Sequence, residues 1–113
     1  MPVILFQPRF HDAVRSGTKR QTIRLPRKRP IRPGDPLSLR AWSGKPYRSK
    51  QTILGFGVCM AADQITIDLY FDDDAEAKRD GFDDAREMID WFIDNHGMPT
   101  PTQPFVGTRI VWR

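Results

Sequence analysis

The sequence predicts an α+β fold: a small β-barrel of about five or six strands with two or three flanking helices. Three observations lead there. Short extended runs with alternating apolar side chains recur along the chain, one segment near its end has strict helical spacing, and clusters of proline and glycine separate the runs. At 113 residues the chain suits one core, so a single domain over residues 1–113 is expected.

Each element has a local reason. Val3, Ile4, Leu5 and Phe6 form a short apolar run that reads as a strand. Pro8 suits a first helical position, where its missing N–H costs nothing, and Phe10, Ala13 and Val14 form the buried stripe of a short helix. Gly17 can end that helix by adopting a left-handed backbone angle. Residues 25–36 hold four prolines and four cations, which excludes a regular helix or a central strand and leaves a basic loop.

After the Gly34-Asp35 turn, Leu37, Leu39 and Ala41 alternate with Ser38, Arg40 and Trp42 as in a half-buried strand. A basic, turn-like stretch leads to a second extended run, Thr52 to Ala61, and the two can form a long hairpin. Gln64 to Phe71 is expected as a third extended segment, since Ile65, Ile67 and Leu69 alternate. Asp72, Asp73 or Asp74 can cap a short helix reaching Lys78. A longer helix is expected from Asp83 or Asp84 to Asn95, with Ala85, Met88, Ile89, Phe92 and Ile93 on one face and Asp84 and Glu87 at capping-box spacing. Gly97 would end it, Pro99, Pro101 and Pro104 come next, and Phe105 to Trp112 reads as the last strand.

Composition narrows the function classes. Apolar residues make up 39% and charged residues 28%, ordinary for a globular protein. No apolar run approaches the ~20 residues of a membrane span, and the N-terminus lacks a secretory pattern, so no membrane association and a cytoplasmic location are expected. The single cysteine, Cys59, lies in an apolar extended run and reads as a packing residue. The net charge of +4 hides an asymmetry: residues 1–50 carry 13 Lys+Arg against two Asp, and the remainder five against twelve acids. A basic face that attracts polyanions is the natural reading, with an interleaved, merely solvated surface as the alternative.

The densest chemistry comes directly after Gly17. Lys19, Arg20, Gln21, Thr22, Ile23 and Arg24 put three cations, an amide and a hydroxyl within six residues, a composition suited to reading phosphates or bases. Arg20, Arg24, Arg40, Lys45, Arg48 and Lys50 are candidate phosphate contacts, and Tyr47, in a turn bounded by glycine and proline, is a candidate stacking surface for an unpaired base. Trp42 reads either as a second stacking ring or as a core or rim residue. No metal site is expected, because His11 and His96 are far apart and there is no paired Cys/His spacing. His11 reads as a surface or capping residue of the first helix, and His96 as a cation at a helix C-terminus. No glycine-rich phosphate loop, serine elbow or dinucleotide fingerprint appears, so no cofactor is expected.

The order of parts resembles the ASCH family. It is carried by the first strand, Phe10, Ser16-Gly17, the Lys19–Arg24 cluster, Pro33-Gly34-Asp35 before Leu37–Arg40, Trp42 to Gln51, and Asp80-Gly81-Phe82 before the longer helix. The resemblance covers nearly the whole chain. It implies a PUA-like barrel and binding of RNA or a modified nucleoside. Similar small bacterial proteins are acetylcytidine amidohydrolases that use a Lys-x-x-Thr pair with a distant glutamate. Lys19 and Thr22 match the pair, and Asp80, one methylene shorter, stands in the place of the acid. On that implication Thr22 is a nucleophile, Lys19 its base and Asp80 an orienting or proton-passing group.

A shared site carries a geometric condition. Within one strand Lys19 and Thr22 would face opposite sides, so Lys19 has to lie in the turn before the strand. The alternative makes Thr22 a β-branched strand residue, Lys19 a phosphate contact and Asp80 a helix-end residue. A protein-binding role for the acidic helix lacks a distinctive motif.

Overall fold

The structure is a computed structural model that describes residues 1–96 and 104–113. The described elements run in the order β1 (Val3–Leu5), a 3-10 turn (Pro8–Phe10), α1 (His11–Ser16), β2 (Gln21–Arg24), β3 (Pro36–Trp42), β4 (Gln51–Ile67), α2 (Asp74–Arg79), α3 (Ala85–His96) and β5 (Phe105–Trp112). The strands form one mixed sheet in the order β1-β3-β4-β5-β2, with β1 parallel to β3 and the other neighbours antiparallel. This is the expected α+β class. The expected helix stop at Gly97 and the prolines at 99 and 101 lie outside the described residues. No described helix is long and apolar enough to cross a membrane.

Local signals set the boundaries of the helices. Pro8 opens the 3-10 turn, and Gly17 ends α1 at φ 82° with its N–H donated to the Val14 carbonyl. Of the three candidate aspartates, Asp73 caps α2 by accepting from the Glu76 N–H at 3.0 Å. Asp84 caps α3 through the Glu87 N–H at 2.8 Å, so the helix itself begins at Ala85. Glu87 does not close a capping box. Its carboxylate instead pairs with Arg9 at 2.6 Å.

The two extended runs expected at 52–61 and 64–71 are one strand, β4, which ends at Ile67. Its first half pairs with β3 and its second with β5, with register shifts beside Leu54 and Met60. Seventeen extended residues would span about 55 Å, whereas the longest dimension of the molecule is 37 Å. The strand must therefore bend, and the two bulges supply the bends.

That curvature brings the sheet's edge strands, β1 and β2, near each other. Arg24 on β2 donates Nη2–H to the Leu5 carbonyl on β1 at 2.6 Å. A side chain, and no described backbone ladder, spans the two edges. Inside, Ile4, Leu37, Ile67, Ile110, Met88 and Phe92 belong to one buried cluster that also holds Cys59.

Candidate active site

A cavity of about 190 Å³ opens between the β1–α1 connection, β2 and the C-terminal ends of α2 and α3. Lys19, Thr22, Arg24 and Asp80 all line it, with Phe6, Phe10 and Trp91 as its aromatic walls. Local structure explains the convergence. The left-handed turn at Gly17 leaves Lys19 ahead of β2, which starts at Gln21, so Lys19 is free of strand alternation and can share a cavity with Thr22. Thr22 and Arg24, two apart on β2, share a face. Asp80 is the C-cap of α2, and the chain leaves it through Gly81 at φ 98°.

Gly81 is packed against the site. A Cβ there would lie 3.1 Å from a Phe10 ring carbon and 3.2 Å from Lys19 Cδ, whereas a Cβ on Gly34, also at positive φ, would meet nothing within 4 Å. Gly81→Ala is expected to cost roughly 1–3 kcal/mol and Gly34→Ala less, since the latter carries backbone strain without crowding. Urea midpoints of the two variants measure the difference. Equal losses would mean that Lys19 yields freely.

Lys19 and Asp80 form a buried ion pair, 2% and 4% exposed. Lys19 Nζ lies 3.4 Å from Asp80 Oδ1, donates to the Asp80 carbonyl, and sits 4.7 Å from the centre of the Phe10 ring. Burial pushes the Lys19 ammonium down to about 8 against the attraction of Asp80, with Arg24 and Arg9 adding repulsion. Burial likewise pushes the Asp80 carboxyl up to about 6, although Lys19 and Gln21 oppose it. The Arg24 guanidinium falls to about 10, chiefly through burial. Its Nε–H donates to Thr22 Oγ1 at 2.9 Å. The hydroxyl therefore accepts from a cation and keeps its own proton available to donate, a polarisation that eases loss of that proton to a base.

Behind Asp80 lies a polar network that sequence reasoning missed. Gln21 Nε2 donates to Glu76 Oε1 at 3.2 Å and to Asp80 Oδ1 at 3.5 Å. Glu76, itself 2% exposed, also accepts from Arg79 at 2.6 Å and from Arg109 at 2.9 Å, and Arg109 continues to Asp63 at 2.6 Å. Burial would raise the Glu76 carboxyl, but hydrogen bonds from Arg109, Arg79 and Gln21 hold it below the usual range. The network ties α2 to β2, β4 and β5 and so fixes where Asp80 points. Its one sequence signal is Arg109, the sole charged residue in the last strand.

Comparison of the chain with family models, curated proteins and solved structures returns no match.

Other expected residues lie elsewhere. Arg20 folds back to donate to the Gly17 carbonyl at 3.0 Å and borders a shallow hollow beside Leu54 and Phe56, so it neither lines the Lys19 cavity nor contributes to the Lys19 shift. Arg40 lies on the β3–β4 face, bonded to Ser38 at 2.8 Å and Gln51 at 3.0 Å. Lys45, Tyr47, Arg48 and Lys50 belong to the 43–50 loop, where Tyr47 packs against Trp42 at 5.2 Å between ring centres. His96, expected as a helix-end cation, lines the cavity and stacks on Phe92, and burial together with Arg24 pushes its imidazole down. His11 is partly buried, with Nε2 2.9 Å from the Phe6 carbonyl oxygen. Among the described residues no group of three or more His, Cys, Asp or Glu is placed to hold a metal ion.

Proposed function

We propose that this chain is an ASCH-type protein with a PUA-like barrel that binds RNA or a modified nucleoside in the cavity beside Thr22. One observation carries the reading: a buried cation, a half-buried one, a buried hydroxyl and a buried carboxylate line a single hollow with aromatic walls. Aromatic rings offer a base its faces, while the amides of Gln7 and Asn95 and the Arg24 guanidinium offer hydrogen bonds to its polar edge. The bend of β4 and the reach of Arg24 across the sheet edges support the barrel.

A second reading, removal of the acyl group from acetylated cytidine, is favoured by the hydrogen bond from Arg24 to Thr22 and by the Lys19–Asp80 pair. Neutral Lys19 would take the Thr22 proton as Oγ1 attacks the amide carbonyl. The C–N bond then breaks, the same proton passes to the departing amine, and an acyl ester remains on Thr22. Water hydrolyses that ester to the free acid and restores the hydroxyl. Asp80 holds the lysine in place throughout.

The test is N4-acetylcytidine against cytidine, followed by calorimetry for binding and chromatography for product. Wild-type protein is expected to retain the acetylated nucleoside. If it turns the nucleoside over, the rate should rise as pH passes through about 8, where Lys19 loses its proton, and Thr22→Ala should abolish product while leaving binding in place. No binding of either nucleoside would overturn both readings; binding without product would retain the first alone.

A further inference from the structure

A second hollow, of about 270 Å³, adjoins the first and shares Leu5, Phe6 and Gln7 with it. Its far side is built by Trp42, Pro46 and Tyr47. Tyr47 is 88% exposed and holds a left-handed backbone, φ 63°, as the sole non-glycine to do so among the described residues. That conformation costs roughly 1–2 kcal/mol for a residue with a Cβ. The loop nevertheless enforces it: Ser43 N–H donates to the Lys50 carbonyl at 2.8 Å, Gly44 N–H to Ser49 Oγ at 3.0 Å, and Ser49 Oγ–H to the Lys45 carbonyl at 2.8 Å. A strained backbone that displays a large ring to solvent beside a candidate site points to recognition, because folding alone would favour glycine or a buried ring here.

Charge agrees with a strand of phosphates. Lys45, Arg48 and Lys50 are exposed on the same loop as the ring and form no ion pair among the described residues. On another side, Arg27, Lys28 and Arg29 border an open hollow with Met1 and Pro2, and Arg27 reaches the Val3 carbonyl at 3.4 Å, two residues from the Leu5 carbonyl held by Arg24. Cations thus flank the cavity in two directions, and an aromatic shelf adjoins it.

We infer that the Trp42–Tyr47 hollow is a second base site, so the ligand is a short single strand of nucleic acid whose modified base enters the Lys19 cavity while its neighbour stacks on Tyr47. This rests on the nucleoside reading above and names the form in which the nucleoside arrives.

Three ligands test it by calorimetry: N4-acetylcytidine, a trinucleotide with acetylcytidine at its centre, and the same trinucleotide with abasic flanks, which keeps the phosphates and removes the neighbouring bases. The flanking bases are expected to tighten binding about tenfold to a hundredfold. Tyr47→Gly, which suits the backbone and should not lower Tm, is expected to erase that gain while leaving nucleoside affinity unchanged; Tyr47→Trp should keep it. Ribose and deoxyribose versions separate RNA from DNA as the source. Nucleoside binding with no gain from flanking bases overturns this inference alone, as does a gain that survives in Tyr47→Gly. Absence of nucleoside binding overturns the cavity reading and this inference with it.

Discussion

Lys19→Met is expected to destabilise the fold by roughly 3–5 kcal/mol near neutral pH, because it leaves the Asp80 carboxylate buried without its cation. The paired change Lys19→Met/Asp80→Asn should recover most of that loss, since it removes both charges and keeps an acceptor for Gln21. Two titrations set the pH dependence. Asp80 is raised from 3.8 to about 6, so its contribution favours the fold at low pH and is lost as pH rises through about 6. Lys19 is lowered from 10.5 to about 8, so its contribution favours the fold at high pH and is lost as pH falls through about 8. Between those values both desolvation costs are present, and the mutual attraction of the pair offsets them. Without Lys19 the carboxyl titrates still higher, and acidification should restore stability as Asp80 gains its proton. Urea unfolding of the single and double variants between pH 5 and 9 reads this directly. A double variant as unstable as the single one would mean that the lysine acts through its packing and not its charge.

Phe92→Ala is expected to cost about 3–5 kcal/mol, a large share of the ~5–15 kcal/mol that holds such a domain together. Phe92 is fully buried, packs its ring 4.8 Å from that of Phe105 on β5, and stacks on His96 at 5.4 Å. Truncation therefore opens a void between α3 and the sheet and removes the support of one cavity wall. Denaturant unfolding should show a lower midpoint with an unchanged slope, and any nucleoside affinity should fall as well. A loss below ~1 kcal/mol would mean that α3 collapses onto the void with little resistance.

Elements set by neighbouring residues were legible in advance. Pro8, Gly17, Asp73 and Asp84 act within one turn of the backbone, and each marks the boundary it suggested or lies within a residue or two of it. β4 was not legible as one strand, because an extended chain that changes partner at a bulge has no turn residue to announce it and its alternation slips there. Lys19 and Thr22 were paired by their resemblance to a Lys-x-x-Thr motif, and the turn at Gly17 meets the geometric condition on that pair by leaving Lys19 ahead of β2. Arg20, in the same run, turns away to the Gly17 carbonyl, which composition cannot reveal. That Gln21 joins Glu76, Arg109 and Asp63 in one network escaped notice for a related reason. A buried carboxylate is stable only among its donors, and those of Glu76 come from three separate elements, β2, α2 and β5.

Because β4 serves both halves of the sheet, no part of this molecule owns its scaffold outright. The same backbone that carries β3, and through it the edge strand β1, carries β5 and the edge strand β2. Loosening on either flank therefore travels along a common spine, and the hollow that lies between those flanks shares in any disturbance of either one.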